Sequence, residues 1–428
     1  MRPPIDLLDE LEWRGLLADQ TEHARDALQA GPVTGYIGFD PTADSLHVGT
    51  LVPIMGLVHL QRAGHSPIAL VGGGTGLIGD PSGKAEERSL LSREEVEANA
   101  AGIRRQLERF LDFEAAVSPA RMENNLEWLD GLGFIDFLRD VGKHFSVNGM
   151  LRKESVRRRL EEGEAGISFT EFSYQLLQAY DFWELNQRFR CTLQMGGTDQ
   201  WGNITAGIDL VRRLGGGRCH GVVFPLLTTT SGTKFGKTEE GTVWLDRNRT
   251  SPFRFYQFWL QTDDADVVQH LRLFTLLERD EIESLESDVA ERPHERAAQR
   301  RLAEEVTDRV HGPDLRARAE RASEVLFGGS LEGLSAEEIA DVFADVPSSQ
   351  IDRGRLTAGV DVATVLSEAG AVSSKGEARR LIQGGGVYLN AERVTDSAVV
   401  LTDQDALHGR YLVFRVGKRR YHLVQLQK

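Results

Sequence analysis

The chain has 428 residues, 40% of them hydrophobic and 27% charged, with a formal net charge of −15. That length exceeds what one hydrophobic core organises comfortably, so two or three domains are expected in an ordinary globular protein. The acidic total excludes a surface coated in polyanion, and no apolar run approaches the ~20 residues that span a bilayer.

The opening segment, MRPPIDLLDELEWRG, is acidic and amphipathic and lacks the apolar core of a secretory signal. Cys191 and Cys219 have neither metal-ligand nor disulfide spacing. Both features fit a reducing, cytoplasmic setting without membrane attachment.

Val33 to Phe39 and Pro67 to Gly72 read as short buried strands with a helix over Gly49 to Gly64 between them. That is a βαβ unit, the start of a parallel sheet. The stretch GFDPTADSLHVGT, Gly38 to Thr50, places a turn of Pro41, Asp44 and Ser45 after the first strand. His47 then falls at a helix N-terminus, where free N–H groups and the helix dipole favour anions.

Gly72 to Gly83 is a glycine-rich loop in which Gly74, Gly76 and Gly79 spell G-x-G-x-x-G. A nicotinamide-dependent oxidoreductase built on this loop is one reading. It needs an acidic residue about 20 positions on at a strand end, yet Glu94 and Glu95 fall in a helix opened by a Ser92/Glu95 capping box. Gly79 to Lys84 also nearly spells a phosphate loop, but Ala85 stands where Ser or Thr should hold magnesium. The preferred reading is a tight backbone floor from which Asp80 projects into a pocket. Val96, Ile103, Leu107 and Phe110 follow at helical spacing.

Phe169 to Trp183 is an aromatic-rich helix with Tyr174, Gln178 and Asp181 on one face. A polar stripe in a mostly apolar helix needs partners, which a ligand polar at both ends would supply. GGTDQWGN, Gly196 to Asn203, packs Asp199 and Gln200 between glycines and Trp201. Residues 222–228 read as the last core strand before KFGKT, Lys234 to Thr238, whose two lysines sit in a Gly/Ser/Thr loop. Together with the His47 stretch, KFGKT suggests an ATP site that activates something at the α-phosphate.

Residues 292–310 and 335–343 read as charged helices, the second opened by a Ser335/Glu338 capping box. Residues 346–360 read as a linker. From Asp361 a compact α/β pattern begins, with a basic helix over Lys375 to Gln383 that carries Arg379 and Arg380. Residues 361–428 hold 10 Lys/Arg against 7 Asp/Glu, while the first 360 hold 40 against 58. A basic tail on an acidic body is the footprint of a local nucleic-acid contact, and Lys418, Arg419 and Arg420 form its densest cluster.

On these residues the chain resembles a bacterial tyrosyl-tRNA synthetase, a class I aminoacyl-tRNA synthetase, from end to end. HVGT and KFGKT are similar to the two class I motifs. YIGFDPTADSLHVG, GLIGDPSGK, FTEFSYQLLQAYDF and GGTDQWGNITAG resemble stretches specific to the tyrosine enzyme. The resemblance implies an α/β fold with three parts. These are a Rossmann-like nucleotide-binding catalytic domain with a parallel sheet over 1–225, the second motif plus a helical domain over 226–345, and, after the linker, a small α/β RNA-binding domain of ribosomal small-subunit type over 361–428.

It implies a tyrosine–tRNA ligase that joins L-tyrosine to tRNA(Tyr) in two steps, with ATP as substrate, Mg2+ accompanying it, and a homodimer as the assembly. By similarity, Tyr36 and Asp181 meet the phenol, and Asp80, Tyr174 and Gln178 hold the ammonium. Gly38, Asp40, Gly49, Asp199 and Gln200 surround the ribose and the carboxyl. Thr42, His47, Lys234 and Lys237 meet the phosphates, with Thr238, Lys84 and Arg88 in support. Thr50 stands where many class I enzymes carry a second histidine. No resident metal is expected on the protein. A second alternative to this reading is a silent paralogue that only binds RNA.

Overall fold

A computed structural model describes residues 5–427 except 81–90, 154–155, 158–159, 161–166, 228–234, 239–240, 326–327, 345 and 418–419, together with the side chains of 237 and 238. By its internal contacts the chain divides into two units, residues 1–249 with 262–302, and residues 250–261 with 303–428. No described helix is long and apolar enough to cross a membrane.

The first unit is built on strands β1 (Asp19–Gln20), β2 (Thr34–Phe39), β3 (Ser66–Val71), β4 (Arg121–Asn124), β5 (Cys191–Gly197) and β6 (His220–Phe224). Their order is β1-β6-β5-β2-β3-β4. All neighbours are parallel except the β1–β6 edge pair. β3 and β6 are buried almost throughout, as strands covered on both faces must be. The crossover helix Leu51–Arg62 is likewise apolar nearly all round, so it is buried rather than surface-lying.

From β2 the chain proceeds outward to β3 and β4 on one side, and β5 and β6 occupy the other. The topology therefore switches between β2 and β5. Crevices beyond the C-terminal strand ends at such a point are where open α/β sheets bind ligands.

Both capping boxes expected from sequence are present, at Ser92/Glu95 and Ser335/Glu338. The aromatic helix is longer than expected, Phe169–Phe189. Ser168 caps its start, and Arg190 in the left-handed conformation ends it. The nicotinamide reading fails here, because β3 is followed by one 3-10 turn, Thr75–Leu77, rather than by a helix start. The Gly74 N–H is also taken, donating to Asn125 Oδ1 at 2.7 Å, so that group is not open to a pyrophosphate.

The boundaries at 225 and 345 differ from the contact division for a packing reason. Residues beyond 225 stay with the first unit: the Phe235 ring stacks on Phe274 at 5.3 Å, and Arg14 donates to the backbone oxygens of Arg272, Thr275 and Leu277. In the second unit, the helix Pro252–Leu260 packs on Pro313–Val325 and Ala336–Val342, around a core that includes Phe253, Ile339 and Phe343.

The expected linker is structured, which corrects that reading. The strand Ser348–Asp352 pairs in parallel with the last strand, Arg420–Gln427, and Arg353–Thr357 is a helix. Ser348–Asp352 is an edge strand with alternating exposure. Its register comes from backbone bonds to a distant partner, and its polar composition gave no strand signal. The sheet it joins is five-stranded, and its core gathers Leu366, Ile382, Leu412 and Phe414.

Candidate active site

A cavity of about 670 Å³ opens beyond the ends of β2, β3, β5 and β6, at the topological switch. Its floor is formed by the helix Phe169–Phe189, which buries Tyr174 and Asp181 in its middle. Asp181 is held on both oxygens: Trp128 Nε1 donates to Oδ1 at 2.8 Å and Asn125 Nδ2 donates to Oδ2 at 2.9 Å. Burial pushes its pKa up to about 7, against the lowering pull of those two donors.

Tyr36, at the centre of β2, lines the same end of the cavity. Its ring lies edge-on to Phe182 at 5.3 Å. Among the described residues its buried hydroxyl has no hydrogen-bond partner. Burial, reinforced by Asp181, raises its pKa well above the ordinary phenol value, so Tyr36 stays a neutral donor. An orphaned donor beside a buried acceptor is what a ligand hydroxyl completes.

One wall carries an amide chain. Gln200 Nε2 donates to Asp80 Oδ2 at 2.8 Å, and Gln178 Nε2 donates to Gln200 Oε1 at 3.2 Å. Asn203 Nδ2 donates to both Gln178 and Gln200 at 3.1 Å. Tyr174 is raised well above the ordinary phenol pKa, first by burial and then by Asp40, Asp80 and Asp181, and it hydrogen-bonds Thr75. Three carboxylates around one buried phenol make this end of the cavity suited to a cation.

At the other end, His47 caps the turn Val48–Thr50 that leads into Leu51–Arg62. Its Nδ1 accepts the Gly49 N–H at 3.0 Å, so a neutral ring carries its proton on Nε2. Gly49 makes room for this ring: a Cβ there would lie 2.8 Å from His47 Cε1. Thr50 Oγ1 donates to the His47 carbonyl at 2.6 Å and receives the His47 N–H at 3.2 Å. The Thr50 hydroxyl therefore fixes His47. Gly38, Asp40, Thr42 and Asp199 line the mouth.

Phe235, which also lines the cavity, is buried against Phe274 and His270. Lys237 and Thr238 form a short hairpin strand paired with Gly241–Thr242. Lys84, Arg88 and Lys234 lie outside the described residues.

Asn125, Trp128, Thr75 and Asn203 were missed from sequence. Each acts by holding another side chain; Asn125, Trp128 and Thr75 do so across 50 or more residues, which nothing in local spacing announces, and Asn203 lies only 3 and 25 residues from Gln200 and Gln178.

A family model described as tRNA synthetases class I (W and Y) matches residues 28–328. One described as the tyrosine–tRNA ligase SYY-like C-terminal domain matches residues 338–424. The tyrosine–tRNA ligase of Roseiflexus castenholzii is 56% identical over 421 residues, which cover 98% of this chain and 99% of that relative. That of Geobacillus stearothermophilus is 53% identical over 424 residues, 98% of this chain and 100% of the relative. Among solved structures, a C-terminally truncated mitochondrial tyrosyl-tRNA synthetase from Aspergillus nidulans is similar with a TM-score of 0.68 at 31% identity, over 75% of this chain and 94% of that one.

The mostly parallel sheet with its pocket at the switch point, together with the class I model matched over residues 28–328, places the chain among the class I aminoacyl-tRNA synthetases. With full-length relatives at 56% and 53% identity and the matching C-terminal model, the chain belongs to the tyrosine–tRNA ligase family.

Proposed function

We infer that the enzyme attaches L-tyrosine to tRNA(Tyr) in two steps. The observation that carries this is the buried pair of Tyr36 and Asp181 at the closed end of the cavity. The phenol of tyrosine accepts from the Tyr36 hydroxyl and donates to Asp181. Asp80, Tyr174 and Gln178 receive the ammonium, and Gln200 and Asp40 orient the carboxylate and ribose beside Gly38, Gly49 and Asp199.

The carboxylate is already a competent nucleophile, so no general base is needed. One carboxylate oxygen bonds to the α-phosphorus of ATP as the bond to the β-phosphate oxygen breaks, giving tyrosyl-adenylate and pyrophosphate. What the site must supply is alignment and charge stabilisation on the departing oxygens. His47 donates from Nε2, Thr42 donates from the mouth, and Lys234 and Lys237 add positive charge. Thr238, Lys84 and Arg88 support them. In the second step a 3′-terminal ribose hydroxyl of the tRNA attacks the tyrosyl carbonyl, and AMP leaves.

Magnesium fits as an ion carried by ATP. Among the described residues no three His, Cys, Asp or Glu converge on one point. Mg2+ commonly keeps its waters and takes one or two carboxylates plus substrate phosphates. When bound, it neutralises phosphate charge. The remaining stabilisation falls to the chain's own donors.

Tyrosine-dependent exchange of pyrophosphate into ATP tests the reading. Tyrosine alone among the amino acids is expected to support strong exchange. Binding of tRNA without any exchange would favour the RNA-binding paralogue instead.

The second unit serves the tRNA. Lys375, Arg379 and Arg380 are exposed on one helix, and Arg420 is near enough to act electrostatically on Glu377 of that helix. Lys418 and Arg419 complete the cluster in sequence. Arg379→Glu with Arg380→Glu is expected to weaken tRNA binding about tenfold or more at low salt and to flatten its salt dependence, while pyrophosphate exchange stays at the parent rate. An unchanged salt slope would remove this face from the tRNA site.

The protein acts in the cytoplasm as a homodimer. Large apolar side chains stand exposed between residues 134 and 169: Phe134 is 65%, Ile135 71%, Val147 59% and Phe169 70% exposed. A run of this kind suits a second copy of the same surface. Phe134→Asp with Ile135→Asp is expected to shift the sedimentation coefficient from dimer to monomer at micromolar concentration. A parent that is already monomeric would refute the assembly.

A further inference from the structure

Ser45 was read from sequence only as a turn residue, yet it is 4% exposed and its hydroxyl is saturated. Ser45 Oγ donates to the Leu46 carbonyl at 2.7 Å. It accepts from Gln106 Nε2 at 2.9 Å and from the Asp246 N–H at 3.1 Å. A hydroxyl has one donor and two acceptor positions, and all three are used. Its partners come from three separate segments: the His47 loop, the helix Arg93–Leu107, and the backbone that follows the Lys237 hairpin.

That last segment runs directly on from the hairpin to the His47 loop. Lys237 pairs with Thr242 across the hairpin. The next residue, Val243, accepts the Val48 N–H at 3.0 Å. Trp244 bridges His47, and the Leu245 N–H donates to Leu46 at 2.8 Å. The hairpin pairing, the Val48–Val243 bond, the isolated His47–Trp244 bridge and the Leu245–Leu46 bond thus run through consecutive residues from the Lys237 hairpin to the His47 backbone, and Ser45 fastens the far end.

The helix Arg93–Leu107 backs the same joint. Gln106 Oε1 accepts the Leu46 N–H at 2.8 Å, and Asn99 Nδ2 donates to the Pro41 carbonyl at 2.9 Å. Gly102 between them lets the loop lie against the helix: a Cβ there would sit 2.0 Å from the Asp44 carbonyl. On the outside, Arg249 pairs with Asp44 at 2.5 Å and lies 4.8 Å over the Trp244 ring, which is edge-on to His47 at 6.2 Å.

We propose that Ser45 is a positioning residue for tyrosine activation, setting the separation between His47 and the Lys237 hairpin. This rests on the reading above that both groups meet the ATP phosphates. Ser45 lies outside the tyrosine end of the cavity, so its loss misplaces phosphate donors without touching the phenol site. Small displacements of such donors are costly to rate and cheap to ground-state binding.

The test uses the full-length enzyme and single-turnover formation of tyrosyl-adenylate, with tyrosine affinity and thermal unfolding measured alongside. Ser45→Ala is expected to slow adenylate formation about tenfold, the scale of one buried hydrogen-bonded joint, with tyrosine affinity within about twofold of the parent. Gln106→Ala leaves the hydroxyl in place and is expected to give a smaller loss of the same kind, so the idea stays testable if Ser45→Ala folds poorly. Lys237→Ala provides the coupling partner. Combined with Ser45→Ala it is expected to lose much less than the product of the two single effects, since both act on the same phosphates.

Full multiplicativity, or equal losses in rate and tyrosine affinity, would make Ser45 a merely structural turn residue. If Lys237→Ala slows activation while Ser45→Ala and Gln106→Ala run at the parent rate, the inference falls and the phosphate reading survives. If Lys237→Ala has no effect, the phosphate reading itself falls.

Discussion

Asp181→Asn is expected to lower kcat/KM for tyrosine roughly 10²- to 10³-fold, because the change strands a buried hydrogen-bonding group and replaces the charged acceptor proposed for the phenol with a neutral amide. The parent carboxylate takes one donor on each oxygen, from Trp128 and Asn125. An amide offers one acceptor oxygen and turns a donor towards the other partner. Phenylalanine never used that acceptor, so its kcat/KM should fall far less. The ratio of the two amino acids in pyrophosphate exchange reads the effect directly, and parallel losses for both would show that Asp181 supports the fold rather than selects the hydroxyl.

The same residue sets a pH dependence. Burial holds Asp181 at about 7, far above its ordinary value of 3.8. The ionised form is the better acceptor for a phenol, so kcat/KM for tyrosine should rise with pH through about 7 in the parent and lose that step in Asp181→Asn. Stability runs the other way. A carboxyl raised in the folded state contributes stability that is fully present below its unfolded pKa near 3.8 and is lost as pH rises through about 7. Between these values the enzyme gains substrate affinity as it gives up stability at the same atom. A pH-independent kcat/KM across 6 to 8 would contradict this.

Much of the catalytic unit was legible because its chemistry is local in sequence. His47, Thr50 and Gly49 lie within four residues, and their mutual bonds make one cap. Tyr174, Gln178 and Asp181 share a helix face, and that helix formed where its aromatic pattern said it would. The glycine loop was open to three readings from its letters. The fold closes the nicotinamide reading, through the 3-10 turn after β3 and the Asn125 side chain that occupies the Gly74 N–H, while most of the Gly79 to Lys84 near phosphate loop lies outside the described residues. What stayed hidden is non-local. Asn125, Trp128 and Gln106 act on residues 53 to 61 positions away, and no period or motif encodes such a partner. The strand Ser348–Asp352 was hidden for the same reason: SSQID has neither apolar alternation nor a turn signal, and it is a strand because Arg420–Gln427 pairs with it.

Lys237→Ala should slow adenylate formation about 10²- to 10³-fold, as removal of a charge-stabilising donor does at other transition states, and leave tyrosine affinity within about twofold. The asymmetry follows from geometry. Phe235, two residues earlier, is buried against His270 at 5.0 Å and Phe274 at 5.3 Å, and the hairpin after it is tied through Val243 to the His47 strand. The backbone beneath the lysine is thus held on both sides, by the Phe235 packing and by the contacts of Val243. On the proposed reading the lysine meets the pyrophosphate as it departs, so its contribution is expected in the transition state rather than in either substrate complex. Lys234→Ala should behave alike. Lys237→Arg keeps the charge on a longer, planar group and should recover part of the rate. Equal losses in tyrosine affinity and rate would place this lysine in ground-state binding. Recovery by Lys237→Gln as complete as by Lys237→Arg would show that a hydrogen bond, and not charge, is what the step requires.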